Sequence, residues 1–212
     1  MKPVNYFVLL SFSLLFLNPV FSQDQTTLGA TAGVNFSKIN LDETNSAVGY
    51  YAGLRSQIPI KGKFSLVSNL IYSLKNWQFE PFPPNEPAGT MNHHYLDLQV
   101  LGNYALNQSI SIGAGIEAGT LLKTKREPDA DLFEDIYEKG DFSILAGISY
   151  RILKSTRIDV RYLHGISYLF KGNLTDANGN DLGEFKEGNF RVIQIGLSTD
   201  IIKCKKGEPK KV

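Results

Sequence analysis

From Leu28 onward the chain alternates apolar and polar residues with a period of two, and this pattern returns eight times. The first segment, 28–40, sets Leu28, Ala30, Ala32, Val34 and Phe36 against Gly29, Thr31, Gly33, Asn35 and Ser37. The others fall at 48–58, 64–77, 94–106, 110–123, 141–152, 157–170 and 190–202. In the third, Val67 and Ile71 blur the alternation. Links between segments 2–3, 4–5 and 6–7 are short, those between 3–4, 5–6 and 7–8 are long, and the 1–2 link is intermediate. Short links at one end and long links at the other predict an all-β fold, an eight-stranded antiparallel transmembrane β-barrel with tight turns in the periplasm and loops outside.

Periodicity alone does not say which face meets lipid. One face collects Gly29, Gly33, Gly49, Gly53, Gly113, Gly115, Gly119, Gly147 and Gly165, together with Arg55, Lys75, Asp97, Glu117, Arg151, Asp159 and Arg161. Glycine has no use on an outer wall, but inside a narrow barrel it leaves room for long charged side chains and for tight curvature. The seven charged residues are therefore expected to form a charge network across the lumen. Two readings of it stand: a pore or proton path, and a salt-bridged plug. An eight-stranded interior is just filled by its side chains, which favours the plug.

Upstream of the barrel, Lys2 precedes the apolar run Tyr6 to Leu17, broken by Asn18-Pro19, and Val20-Phe21-Ser22 resembles a cleavage site. Residues 1–22 are expected to be a cleaved export signal, 23–202 the barrel domain and 203–212 a basic C-terminal tail. The apolar run is short for a membrane-spanning helix. The expected location is the cell outer membrane.

Bulk composition changes little. Hydrophobic residues make up 42% and the mean hydropathy is −0.14, because alternating strands average out. Charge is balanced, 22 basic against 21 acidic residues. Loss of Lys2 with the signal leaves 21 against 21, which argues against nucleic acid as a partner. The single cysteine, Cys204, has no internal disulfide partner.

Several stretches resemble the PorT-like outer-membrane β-barrel family: Ala32-Gly33-Val34-Asn35-Phe36-Ser37, Leu70 to Lys75, Tyr95-Leu96-Asp97-Leu98-Gln99-Val100-Leu101, Asp159-Val160-Arg161-Tyr162 with Gly165-Ile166, and Gln194 to Leu197. The resemblance covers residues 28–202 and implies an outer-membrane barrel. Its founding member is linked to secretion and gliding machinery. One departure concerns the end: such barrels usually finish on a terminal aromatic, whereas here the last segment ends Asp200-Ile201-Ile202 before the tail.

Candidate chemistry is sparse. His93 and His94 open the fourth segment, and acids of the 5–6 loop (Asp129, Asp131, Glu134, Asp135) could complete a hydrolytic or metal site with them. No spacing rule supports that pairing. Asp176-Ala177-Asn178-Gly179-Asn180-Asp181 resembles part of a calcium loop but is also an ordinary turn signal. No catalytic residue, cofactor or metal is expected, and the protein is read as no enzyme. The leading expectation is a closed structural or surface-interaction barrel in outer-membrane lipid. The alternatives are a secretion or envelope-assembly component that binds a protein partner, and a soluble periplasmic ligand-binding barrel. Oligomeric state stays open.

Overall fold

The computed structural model describes residues 25–42, 44–79, 89–127, 137–175 and 181–204. The segment expected to be an export signal, residues 80–88, the 5–6 loop acids, the possible calcium loop before Asp181 and the residues after Cys204 lie outside these. Among the described residues there are ten strands: β1 Thr26–Ile39, β2 Thr44–Lys61, β3 Phe64–Phe79, β4 Gly89–Ala105, β5 Ile110–Glu127, β6 Gly140–Arg151, β7 Thr156–Gly165, β8 Phe170–Thr175, β9 Asp181–Glu187 and β10 Phe190–Cys204. Eight of them close a ring in the order β1-β10-β7-β6-β5-β4-β3-β2, and β8 and β9 form a separate two-stranded sheet. All pairs in the ring are antiparallel.

Each of the eight predicted segments is a strand of the ring, but their ends differ in an instructive way. β2 begins four residues before 48, β4 five before 94, and β5 continues four past 123. These extensions all lie at the long-loop end. Beyond the bilayer the outward face no longer has to be apolar, so alternation fades while backbone pairing continues. At the opposite end Pro59 lies within β2, and the turn is reduced to Gly62-Lys63, with Lys61 opposite Phe64. Gly62 takes φ +58°, the left-handed conformation a two-residue hairpin turn requires. In the 4–5 turn the Asn107 side chain accepts from the backbone N–H groups of Ser109 and Ile110, at 2.8 and 2.7 Å.

Two strand ends differ from the predicted segments. β10 runs two residues past 202, with Lys203 and Cys204 paired with Thr27 and Thr26. The seventh segment stops at Gly165 rather than 170, because Phe170 opens the β8–β9 hairpin.

The two faces of the wall separate cleanly. Val34, Leu54, Leu197, Ile116, Ile144, Ile148 and Val160 stand exposed outside, while Asn35, Asn69, Asp97, Gln99, Asp159 and Gln194 are buried within. This polarity overturns the soluble ligand-binding alternative, which needs its apolar face inside. On β3 the outward apolar positions run from Phe64 to Leu74. At about 3.3 Å per residue and a tilt of about 40°, these positions span about 25 Å, the height of a membrane barrel's apolar band. Aromatic pairs mark both edges. Phe64 and Tyr104 lie 4.7 Å apart at the turn end, and Tyr72 lies 6.3 Å from Tyr50 and 5.9 Å from His94 at the loop end.

Candidate functional site

In the lumen, buried ionisable side chains from separate strands converge in layers. Near the periplasmic end, Asp159 on β7 meets Arg161 of the same strand at 3.2 Å and Arg55 of β2 at 3.9 Å. Ser149 and Ser198 also donate to Asp159. Arg157 pairs with Asp200 at 2.5 Å and donates to Gln57. A layer of amides comes next. Gln99 accepts from Asn69 at 3.0 Å and from Arg161 at 3.1 Å, and donates to Gln194 at 3.0 Å and to Glu117 at 2.7 Å.

Above the amides lies Lys75. Its Nζ is 2.6 Å from Asp141, 2.8 Å from Glu117 and 3.4 Å from Asp97, carboxylates carried by β6, β5 and β4. It also sits 4.7 Å from the centre of the Tyr95 ring. Lys75 and Asp97 are both 0% exposed. Among the described residues neither oxygen of Asp97 accepts a hydrogen bond, so Lys75 is its main compensation. One cation therefore serves three carboxylates from three other strands.

An apolar and aromatic cap finishes the column at the extracellular end. Ile39, Trp77, Met91, Tyr137, Leu169, Phe190 and Val192 are buried in one cluster with Phe170 against it. The Tyr137 and Phe170 rings lie 5.4 Å apart, joining the 5–6 connection to the β8 hairpin. Burial pushes the Tyr137 hydroxyl up to about 12.

Six of the seven predicted network residues (Arg55, Lys75, Asp97, Glu117, Asp159 and Arg161) are buried together in this column. Arg151 is placed differently. It is exposed, as the last residue of β6, where the lumen opens to the periplasm. Parity tells which face a residue takes, not how deep it lies. Asp141, Arg157, Gln99 and Gln194 also belong to it, and alternation in β4, β6, β7 and β10 puts all four on the inward face.

Glycines shape the space. A Cβ on Gly119 would fall 2.1 Å from Asp97 Oδ1, and one on Gly196 would fall 2.3 Å from the Tyr51 hydroxyl oxygen. Gly119→Val is expected to lower stability by about 1–3 kcal/mol, as overpacking does. The shift should appear as an earlier urea midpoint for the refolded barrel, and an unchanged midpoint would mean that the Asp97 side chain can move away.

The two histidines do not share a site. As neighbours on one strand they point to opposite faces. His93 faces the cap, where Trp77 donates to its Nε2 at 3.0 Å and its Nδ1 meets the Thr124 hydroxyl at 3.1 Å. A bulge at Leu122 brings Thr124 inward, since His94 pairs with Lys123 but Tyr95 with Leu121. His94 faces outward against the Tyr72 hydroxyl. His164 lies on the outer wall, 6.3 Å from the Tyr162 ring. Among the described residues no group of three or more acidic, His or Cys side chains could hold a metal ion.

A ring of eight antiparallel strands with a lipid-facing apolar band and a polar, ion-paired interior defines an integral outer-membrane β-barrel. The outer membrane protein beta-barrel domain model matches residues 21–171, and the chain belongs to that family. No curated protein matches it. Among solved structures it is similar to Ail, the attachment invasion locus protein of Yersinia pestis, at 11% identity and a TM-score of 0.45, with 85% of this chain and all of that chain covered. It is also similar to OprG from Pseudomonas aeruginosa, at 12% identity and 0.42, with 85% and 97% covered. For the E. coli outer membrane protein W the values are 9% and 0.43, with 85% and 100% covered.

Proposed function

We propose that this barrel is a closed, non-enzymatic scaffold that presents its three long connections for contacts at the cell surface. The observation that carries this reading is Lys75, fully buried among carboxylates of three other strands. A hydrated pore would solvate such a cation, and would have no need of an aromatic cap above it. The opposed histidines, each engaged by a neighbouring side chain, support the absence of catalysis. The narrower PorT-like kinship is part of the same proposal and rests on the strand motifs around Asn35, Asp97 and Asp159.

Planar-bilayer recording tests the closed lumen. The purified, refolded protein is expected to give no steady single-channel current. Steady current of reproducible amplitude would overturn the reading.

A further inference from the structure

At the turn end the lumen opens into a cavity of about 150 Å³ that faces the periplasm. Six strands line it, β2 to β7 in turn, through Gln57, Ser65, Asn103, Ser111, Arg151 and Arg157. Among the described residues no acid lines it. A cavity of this size takes a guest as large as benzene, about six non-hydrogen atoms.

The β7 and β2 side of the lining is fixed. Arg157 pairs with Asp200 and donates to Gln57, and Gln57 donates to Ser65 at 3.1 Å. Along β4, β5 and β6 the lining instead carries donors without partners. Asn103 is 9% exposed, and among the described residues its amide makes no hydrogen bond. Gly113 stands directly opposite Asn103. A Cβ on Gly113 would fall 3.0 Å from Asn103 Oδ1, so the missing side chain leaves the amide uncovered. The Ser111 hydroxyl and the Arg151 guanidinium likewise have no partner among the described residues. Buried polar groups are rarely left unpaired, and a bound acceptor would satisfy these three together.

The charge around the mouth has one sign. Lys61, Lys154 and Lys203 are exposed at this end, and among the described residues none is in an ion pair. Its acids are engaged, Asp200 by Arg157, and Asp159 by Arg161 and Arg55. In the sequence outside the described residues, Asp24 and Glu208 are outnumbered by Lys205, Lys206, Lys210 and Lys211. A cleft walled by one sign of charge concentrates ions of the other. We infer that the periplasmic mouth binds a small oxyanion, a phosphate or carboxylate group, held by Arg151 with the Asn103 amide and the Ser111 hydroxyl as neutral donors. The planar fork of a guanidinium matches either group. The inference goes beyond the surface scaffold and does not need the closed lumen, so anion affinity and conductance fail independently.

The test uses the full mature chain, refolded in an uncharged maltoside detergent and titrated by calorimetry with inorganic phosphate and, separately, with succinate. Saturable binding of at least one of them is expected, and the tighter of the two tells a phosphate ligand from a carboxylate one. Asn103→Asp keeps the shape and replaces the amide donor with a negative charge. It should weaken binding by roughly tenfold or more, as should Arg151→Gln. K61Q/K154Q removes two cations of the same rim that do not line the cavity, and should stay within about twofold of the unmodified protein because exposed charges are screened. Heat-modifiable mobility checks that each variant is folded. If Asn103→Asp is not, Arg151→Gln, at an exposed position, carries the test. No saturable binding of either anion would overturn the site, as would unchanged affinity in Arg151→Gln. An equal loss in K61Q/K154Q would overturn it too, by assigning the binding to rim charge alone.

Discussion

Lys75→Met is expected to be the most damaging single substitution in the barrel. It keeps most of the side-chain volume and removes the only cation in contact with Asp97, Glu117 and Asp141 among the described residues. Removing one partner of a buried charged set typically costs about 3–5 kcal/mol, mostly because the remaining charges are stranded. Here three carboxylates would be stranded at once, and Asp97 accepts no hydrogen bond in compensation. The urea midpoint of the refolded protein should fall sharply, read by the gel-mobility shift of the folded form and by fluorescence of Trp77 in the cap directly above. A second variant separates charge from packing. Combining Lys75→Met with Asp97→Asn, Glu117→Gln and Asp141→Asn removes every charge of the cluster while keeping its shape, and most of the lost stability should return. If Lys75→Met alone left the midpoint unchanged, water would have to solvate those carboxylates, and the closed-lumen proposal would fall with it.

Leu54→Arg should come next in size, for the opposite reason. Leu54 is 65% exposed to the surroundings of the barrel, so for a protein in water the change would be near neutral. But Leu54 is paired with Leu70, close to the middle of the apolar band on β3. An arginine on the lipid face at the bilayer midplane costs about 2–4 kcal/mol, falling to about 0–1 near the interface. Ile60→Arg, beside the Gly62 turn, supplies the interfacial comparison. Refolding into phospholipid vesicles followed by urea titration should show a large loss for Leu54→Arg and a small one for Ile60→Arg. Equal small effects would contradict the depth assigned to Leu54.

The sequence was legible wherever two faces of a strand meet different surroundings. Leu96, Leu98 and Val100 against Asp97 and Gln99 could be assigned because one set must satisfy lipid and the other must not. Legibility was lost where that contrast ends. The outer part of β4, from Gly89 to Asn92, stands above the band and lacks alternation. The β8–β9 hairpin lies off the ring, so no burial pattern announces it, although the Asn178-Gly179 turn signal was visible between its strands. Within the lumen, charge was a good guide to membership for Lys75 and Asp159 but a poor one for Arg151, whose inward parity comes with a position at the strand end. Val67 and Ile71 looked like noise in the third segment. They are buried inside, because a packed interior needs apolar filler between its polar layers. The bulge at Leu122 is also invisible to a strict period of two, and with it the partnership of Thr124 and His93.

The ring closes by pairing its first strand with its last. β1 pairs with β10 from Thr26 opposite Cys204 to Ile39 opposite Phe190, so the first strand to be exported waits for the last before it has a second neighbour. Until then both strands flanking the gap present unpaired backbone N–H and C=O groups, which hydrocarbon does not satisfy. A chain cut short before Phe190 would retain seven strands of the ring and still have two such edges. A chain that lacks this fifteen-residue strand keeps an open seam, so it is expected to settle less stably in the bilayer than the finished barrel.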